Sequence, residues 1–486
     1  MLFNSYVFIL LFLPMALVGY FGLNYLKQET WAKIFLTGMS LWFYAYFHLS
    51  YLAIILGSIV INYGVSKLVY SPKFGKGQKK LILIIGILLN VGVIFYYKYF
   101  NFFMENMNWI LGQDYIAQKI LMPLGISFFT FQQISYLVDS YGGETKDYSF
   151  VDYALFVSFF PQLIAGPIVL HSEMIPQFRD GARKKINQDL FAKGTWTFAV
   201  GLFKKVMIAD VLGRGADYGF GNMAALTGMD AWIVMLCYTL QLYFDFSGYC
   251  DMAIGIANMF HMELPLNFNS PYKATSVTEF WKRWHMTLTR FLRKYVYFPL
   301  RGNRKGYTRT LVNIMIVYLV SGIWHGAAWT FIIWGILHGL VRVLEKIAWK
   351  WIEKIPKAVR WIGTFLFVNL AWVIFRADSM ENVMQIYSKL GDLGGGVSGE
   401  LLSQFKLLEF TYIVEHVGAL TSLVNQYPWI YMAIVVVVAL VIALTMPNCH
   451  EKEFKPTLPK ALGSIVLLVW SIISFSGLST FLYFNF

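Results

Sequence analysis

The chain has 486 residues, of which 57% are hydrophobic and only 14% are charged. Soluble domains carry about 25% charged residues, so this composition excludes soluble, disordered and collagen-like chains and predicts a polytopic membrane protein. The net charge of +13 comes from basic residues in short loops between apolar runs. That distribution is typical of a cytoplasmic membrane face in contact with lipid headgroups, so membrane lipids are expected partners and nucleic acid is not.

Apolar runs near 20 residues long recur along the whole chain. They lie at residues 5–26, 31–47, 50–70, 81–103, 119–140, 152–170, 190–212, 231–260, 311–341, 359–376, 428–446 and 461–485. Since a bilayer core about 30 Å thick needs roughly 20 helical residues, the sequence predicts an all-α fold with about 10 to 12 transmembrane or re-entrant helices. We expect one integral-membrane domain over residues 1–486, with a motif-rich core at 120–345.

The basic loops predict the orientation. Residues 71–80 and 301–309 each carry four basic and no acidic residues, and residues 451–460 contain three lysines (Lys452, Lys455 and Lys460) together with two glutamates, at 451 and 453. By the positive-inside tendency all three loops face the cytoplasm, and both termini then lie outside. The polar stretch 377–427, with six acidic and two basic residues, is expected to be extracytoplasmic.

Motifs of soluble enzymes and metal sites are absent from the sequence. Three cysteines (Cys237, Cys250 and Cys449) form no CxxC pair and no even framework, so neither disulfides nor a thiolate metal site is expected. Residues 394–399 match GxGxxG but follow no predicted strand, and a flexible loop explains them better. We expect no metal and no bound cofactor.

Two acidic residues and a lysine pair interrupt the apolar runs. Asp245 and Asp251 lie where an unpaired carboxylate is costly, so we expect them to partner buried donors. An interfacial break is expected at residues 204–205, which are both lysine.

The histidines differ in where they lie relative to the predicted spans. His171, His416 and His450 are expected to be solvated, and His48 lies among aromatic residues typical of an interfacial belt. His338 lies one helical turn before an arginine near a span end, and its role stays ambiguous.

His325 lies in the sequence SGIWHGAAW at residues 321–329. It follows Arg309 of the predicted cytoplasmic loop by 16 residues, about 24 Å of helix. An ionisable group so deep in the membrane is a functional-site hypothesis by default. The alternative is a neutral histidine that packs against a neighbouring helix, which the small residues Gly322 and Gly326 also favour.

His285 lies in a segment, residues 279–295, whose helical projection is amphipathic. The apolar arc centres on Trp281, and Lys282, Arg283 and Arg290 occupy the opposite side. The pattern predicts one helix at or just below the cytoplasmic surface, with His285 at the flank of the apolar arc. Simple membrane anchoring and contact of the basic residues with lipid phosphate remain open alternatives.

Several longer motifs resemble those of the membrane-bound O-acyltransferase superfamily. They are FNSYVF at 3–8, PLGISFFTFQ at 123–132, SFFPQLIAGP at 158–167, YFDFSGY at 243–249, FWKRWH at 280–285 and GIWHG at 322–326. The chain is most similar to the bacterial branch that acts in alginate O-acetylation, peptidoglycan O-acetylation and teichoic acid D-alanylation.

The resemblance implies a site. His325 matches the family's near-universal catalytic histidine, and His285 matches a second polar position that other branches fill with Asn, Asp or His. It also implies tilted helices around a tunnel through the membrane, an acyl donor that enters from the cytoplasm and, as in alginate-like members, a partner acetyltransferase outside. Leu170 and Arg301 depart from the arginine and glycine that family members often carry there.

Together these features predict an O-acyltransferase. It would move an acyl group, foremost acetyl, from a cytoplasmic thioester (acetyl-coenzyme A or an acyl carrier protein) to a hydroxyl of an envelope polysaccharide, directly or through an extracytoplasmic partner. His325 would act as general base, because an imidazole titrates near working pH, and an acyl-histidine intermediate is the alternative. His285 would orient the donor or polarise its carbonyl. Candidate substrate-binding residues are Trp324, Lys282, Arg283, Arg290 and Asp245.

Two other functions fit the composition. A flippase or transporter of a polysaccharide precursor would use His325 in a proton relay, and a non-enzymatic scaffold would tolerate its loss. The sequence leaves the acyl group open, and the acceptor can be alginate, another exopolysaccharide, peptidoglycan or teichoic acid.

Overall fold

The computed structural model describes residues 1–112, 116–145, 147–406, 412, 414, 416–451, 453–475 and 481–482. Glu409, Glu415 and Lys452, which belong to the predicted outer stretch and the third basic loop, lie outside these residues. Within the described ranges every regular element is a helix and no strand occurs. The predicted all-α class is therefore confirmed.

The chain forms two compact units. The first comprises residues 1–201, 249–266 and 454–486, and the second comprises residues 202–248 and 267–453. The predicted motif-rich core, residues 120–345, contributes to both. Two helices also have residues in both units, and they are Gln188–Phe203 and Gly228–Met259.

The remaining helices of the first unit follow one another through short connections. They are Phe8–Phe12 and Leu13–Tyr25, Glu29–Ala45, Ser50–Tyr70, Lys76–Ile94, Phe95–Tyr99 and Phe100–Leu111, Ile126–Tyr141, Phe150–Ser158, Phe160–Leu163, His171–Arg179, Gly181–Lys184 and Leu458–Ile473. The expected exposure of His171 is wrong: its ring is 1% exposed, and its Nε2 lies 3.1 Å from Asp139. An aspartate 32 residues away in sequence supplies a buried partner that local composition does not reveal.

The second unit holds the other helices. They are Lys204–Ala209, Asp210–Gly221, Met223–Ala225, Pro271–Lys273, Val277–Arg283, Met286–Leu292, Arg293–Tyr297, Tyr307–His325, Trp329–Ile352, Lys357–Arg376, Met380–Lys389, Gly399–Ser403, Gly418–Gln426 and Ile430–Thr445. Three of them are named below by a residue: the Lys282 helix (Val277–Arg283), the His325 helix (Tyr307–His325) and the His338 helix (Trp329–Ile352).

Several helices are long and apolar enough to cross a membrane. Among the described residues four meet this test, and a fifth is added if one pair bent by 91° forms a single span. The four are Phe8–Tyr25, Ser50–Tyr70, Lys76–Leu111 and Lys357–Arg376, and the pair is Leu420–Gln426 with Ile430–Thr445. A polytopic membrane protein is confirmed, whereas the predicted number of crossings and the orientation stay predictions.

The apolar run 311–341 forms two helices. It is divided between the His325 helix and the His338 helix, because Gly326 and Ala328 adopt extended backbone and reverse the chain. The two helices pack closely through facing glycines. A Cβ on Gly322 would lie 2.5 Å from the Phe331 carbonyl oxygen, and one on Gly335 would lie 2.6 Å from the Tyr318 carbonyl oxygen. Any larger side chain would force the helices apart.

The lysine pair at 204–205 does not mark an interfacial break. The backbone stays helical there in a π-helical segment, Lys204–Ala209, and Lys205 is buried. Its ammonium lies 2.6 Å from Asp245 and 2.8 Å from Asp210. Asp245 therefore partners a buried donor, as expected, and these ion pairs offset the cost of the buried charges.

Candidate active site

Three of the predicted site residues meet in the interior of the second unit. The ring centroids of His285 and Trp324 are 6.1 Å apart, and those of Trp324 and His325 are 4.9 Å apart. All three side chains are buried, since His285 is 0%, Trp324 4% and His325 5% exposed. The sequence predicted that His285 lies near the surface and His325 far into the core. In the structure both rings contact the same indole, so the two histidines lie closer together than those depths predicted.

His325 is held by aromatic rings from two other helices. It is the last residue of its helix, and its ring packs edge-on against Trp334 at 5.2 Å and Phe375 at 5.3 Å. Trp334 belongs to the His338 helix and Phe375 to Lys357–Arg376. The glycine-mediated hairpin and these rings fix the imidazole in one place.

His285 does not lie on the continuous amphipathic helix that the sequence predicted. The Lys282 helix ends at Arg283, and His285 has φ 44° and ψ 52°, the left-handed conformation, before Met286–Leu292 begins. Such a backbone costs about 1–2 kcal/mol for a non-glycine residue. It is stabilised here because the Met286 N–H donates to the Asn267 carbonyl oxygen at 2.9 Å. Strained backbone of this kind concentrates at functional sites.

Sequence reasoning missed Asn267. Its side-chain oxygen lies 3.1 Å from Nδ1 of His285. The two residues are 18 positions apart, a separation at which no local pattern indicates a contact.

His338, whose role was ambiguous, is completely buried beside this cluster. The indole N–H of Trp281 donates to its Nδ1 at 3.2 Å, and its ring centroid lies 4.7 Å from that of Trp334. Since Trp334 also contacts His325, a continuous set of rings connects His325 with the Lys282 helix. The position of His338 one helical turn before Arg342, near the end of a predicted span, could not identify these partners.

A cavity of about 1120 Å³ opens beside the Lys282 helix. It is lined by Thr275, Ser276, Thr278, Glu279, Lys282, Arg283, Thr289, Arg293, Tyr297, Thr310, Ile314, Val317, Tyr318, Arg342, Glu345, Lys346, Trp349 and Arg360. Lys282 and Arg283 thus share one cavity, as a substrate-binding role requires. Arg290, Asp245 and the two histidines are not among the lining residues.

Carboxylates neutralise only part of the positive charge in this cavity. Arg283 pairs with Glu279 at 2.9 Å, and Arg342 pairs with Glu345 at 3.3 Å. Burial alone would raise the pKa of Glu279, but hydrogen bonds from Thr275 and the Arg283 guanidinium outweigh it and hold that pKa below its usual value. The other basic side chains have no ion pair in the part of the chain that the structure describes, and they are Lys282, Arg293, Lys346 and Arg360. The cavity therefore attracts anions.

Glu345 attaches the Lys282 helix to the His338 helix. Its carboxylate accepts the backbone N–H of Val277 at 2.5 Å and that of Thr278 at 2.8 Å. A carboxylate on the first N–H groups of a helix is stabilised by the helix dipole. This contact fixes one wall of the cavity while Trp281, on the same short helix, donates its indole N–H to the buried His338.

The fold and this site define a polytopic α-helical membrane protein whose second unit contains a pair of buried histidines and a separate basic cavity. A model of the MBOAT, or membrane-bound O-acyltransferase, family matches residues 83–381, which include both histidines. The chain belongs to this family, and the resemblance noted in the sequence is confirmed.

Individual relatives agree. Over 517 aligned positions the chain is 40% identical to a peptidoglycan O-acetyltransferase of Helicobacter pylori, with 100% of this chain and 98% of the relative covered. It is 39% identical to the probable alginate O-acetylase AlgI of Pseudomonas aeruginosa (82% and 77% covered) and 27% identical to a teichoic acid D-alanyltransferase of Bacillus subtilis (53% and 69% covered). The protein is thus an enzyme, an O-acyltransferase of the membrane.

Proposed function

We propose that this enzyme moves an acetyl group from a cytoplasmic thioester across the bacterial inner membrane to a hydroxyl of an envelope polysaccharide. Peptidoglycan is the acceptor that we favour, because the similarity to the Helicobacter pylori enzyme extends over nearly the full length of both chains. Transfer is direct or proceeds through a partner acetyltransferase outside, for which the acidic stretch 377–427 is the proposed docking region.

The observation that carries the proposal is the contact of His285 and His325 with one buried indole, that of Trp324. In the proposed reaction the imidazole of His325 takes the proton of the attacking hydroxyl, and the hydroxyl oxygen bonds to the acyl carbon. The carbon–sulfur bond then breaks, and the sulfur leaves with the electron pair and takes the proton from His325. His285 orients the donor or polarises its carbonyl.

The basic cavity is the proposed donor site. Tyr297 and Thr310, which line it, flank the loop 301–309 that the positive-inside tendency places in the cytoplasm. Its volume, about 1120 Å³, suits a ligand larger than most drug-sized molecules. Four cations without carboxylate partners match the several phosphate charges of acetyl-coenzyme A better than the single phosphate of a carrier protein's pantetheine arm. Arg290 and Asp245 do not line this cavity, and we leave them out of the donor site.

The catalytic proposal is tested by replacing His325 with alanine and measuring O-acetyl groups on isolated peptidoglycan. We expect H325A to insert in wild-type amounts but to abolish O-acetylation, whereas the control H48A, at an exposed histidine, keeps it. Wild-type O-acetylation by H325A would refute the assignment. A flippase with His325 in a proton relay would instead show no label transfer from acetyl-coenzyme A, even in the wild type.

The donor site is tested by a matched pair one helical turn apart. Lys346 and Lys350 lie on the same helix and are both exposed, but of the two Lys346 alone lines the cavity. We expect K346A to raise the KM for acetyl-coenzyme A about 3- to 10-fold at low salt, with a smaller effect at high salt because the attraction is electrostatic. K350A should leave the KM unchanged. Equal effects of both substitutions would show that only overall surface charge matters.

A further inference from the structure

Three groups converge on one side-chain oxygen in the interior of the second unit. Oδ1 of Asn267 lies 3.1 Å from Nδ1 of His285, 3.2 Å from the backbone nitrogen of Thr287 and 2.9 Å from the Thr287 hydroxyl. Asn267 and His285 are fully buried, and Thr287 is 2% exposed.

The backbone contact identifies the atom. The peptide N–H of Thr287 can only donate a hydrogen bond, so the Asn267 atom that it meets must be the amide oxygen and not the amide nitrogen. An amide oxygen carries no hydrogen, so the ring nitrogen that faces it must supply one. In its neutral form His285 therefore carries its proton on Nδ1, and the lone pair is on Nε2.

We infer that Asn267 is a positioning residue that keeps His285 in the Nδ1–H tautomer, so that His285 presents a hydrogen-bond acceptor to the substrate. What this tautomer means for catalysis rests on the proposed function, in which His285 either orients the donor or polarises its carbonyl. Polarising the thioester carbonyl requires a donor at Nε2, which this tautomer lacks. Orienting a substrate N–H or O–H requires an acceptor, which it provides.

Backbone contacts further restrict the orientation of the His285 ring. Because the Asn267 carbonyl oxygen also accepts the Met286 N–H, Asn267 holds the chain on both sides of the ring. The left-handed conformation of His285 limits the directions in which the ring can turn. Phe246 packs edge-on against it at 4.9 Å. Main-chain and side-chain contacts therefore fix the tautomer and the ring position together.

Two substrate groups have the required chemistry, and both are hydrogen-bond donors. They are an amide N–H of the pantetheine arm, common to coenzyme A and carrier proteins, and the attacking hydroxyl of the acceptor. The kinetic constants of a variant distinguish them, since the first contributes to donor binding and the second to the chemical step.

The direct test is ¹⁵N NMR of the full-length protein labelled at histidine, in lipid, with the His285 signals assigned by their loss in H285Q. We expect a protonated Nδ1 and an unprotonated Nε2 in the wild type. N267D, which keeps an oxygen at this position, should retain that pattern, and N267L, of similar size but without the oxygen, should lose it. A protonated Nε2 in neutral wild-type His285 would overturn the inference. This measurement needs no activity, so it stands apart from a failure of the proposed function.

Kinetics with acetyl-coenzyme A complete the test. N267L should lose about 10-fold or more in kcat/KM, and N267D should restore most of it. A raised donor KM in N267L identifies the pantetheine amide as the oriented group, and a lowered kcat at unchanged KM identifies the hydroxyl. Equal losses in N267L and N267D would mean that Asn267 has only a structural role, and the inference would fall.

Discussion

Lys205 carries a charge in the interior of the second unit, and two carboxylates keep it there. The ammonium contacts Asp245 and Asp210, and Asp245 is itself only 2% exposed. Removing one partner of such a pair leaves an uncompensated buried charge, whereas replacing both by apolar groups removes the desolvation cost as well. Comparing the single with the double substitution therefore distinguishes a structural role of Asp245 from the substrate-binding role predicted by sequence.

We therefore expect D245L, which leaves Lys205 paired with Asp210, to lower the free energy of unfolding in detergent, by less than the loss of about 3–5 kcal/mol for a buried charge without any partner. The double variant K205M/D245L should recover most of that loss. If Asp245 serves only the ion pair, acetyl transfer by the double variant recovers together with stability. A stable double variant without activity would instead support contact of Asp245 with substrate.

The two histidines differ in how much the sequence could predict. His325 was singled out by its distance along the chain from a basic loop and by the residues around it, because both depend on near neighbours in the chain. The partners that give each imidazole its properties were not predictable. Asn267 and Trp334 reach the histidines through folding of distant segments, and a single sequence carries no record of such contacts.

At the scale of elements, the His325 helix and the His338 helix form a hairpin whose geometry depends on backbone contact. Gly322 lies three residues before His325 and meets the carbonyl oxygen of Phe331. Because a backbone oxygen cannot move aside as a side chain can, a methyl group here displaces the helix that ends at His325.

We expect G322A to lower the stability by about 1–3 kcal/mol through overpacking. Acetyl transfer should fall further, by up to about 100-fold, because a 1 Å displacement of a catalytic group can have that effect. G363A is the matched control, since a Cβ there meets nothing within 4 Å. Thermal unfolding and O-acetyl measurement on both variants check this, and wild-type activity of G322A would show that the close helix contact does not position His325.

Helix existence was predictable from apolar runs, but helix interruption was not. The break at His285 depends on the Asn267 carbonyl and on the burial of Trp284 against Phe268 and Trp372. A helical projection assumes a constant rotation of 100° per residue. It therefore placed His285 at the flank of one continuous helix, whereas the helix is interrupted at this residue. Apolar composition likewise did not predict the reversal of the chain at Gly326, which lies inside an apolar run long enough for a span.

At the scale of the whole molecule, the charge difference between loops predicts how the chain is oriented in the membrane. The positive-inside tendency places Lys73 in the cytoplasm and the helix Met380–Lys389 outside. The basic cavity next to loop 301–309 is consistent with the same orientation, since an acetyl donor made in the cytoplasm would enter there.

Single cysteines in a variant lacking the native three test this orientation. A membrane-impermeant maleimide should label a cysteine at exposed Ser388 in intact spheroplasts. It should label one at exposed Lys73 only after permeabilisation. The reverse pattern would place the cavity on the outer face and would exclude a cytoplasmic donor.

The central claim is that His325 serves a transfer from the cytoplasmic side to an acceptor on the other side. It is tested most directly with inverted inner-membrane vesicles that enclose peptidoglycan and receive radiolabelled acetyl-coenzyme A from outside. We predict that label reaches polymer hydroxyls in the lumen with the wild type and H48A, and that none does with H325A at equal protein amounts. Transfer by H325A at the wild-type rate would contradict the account.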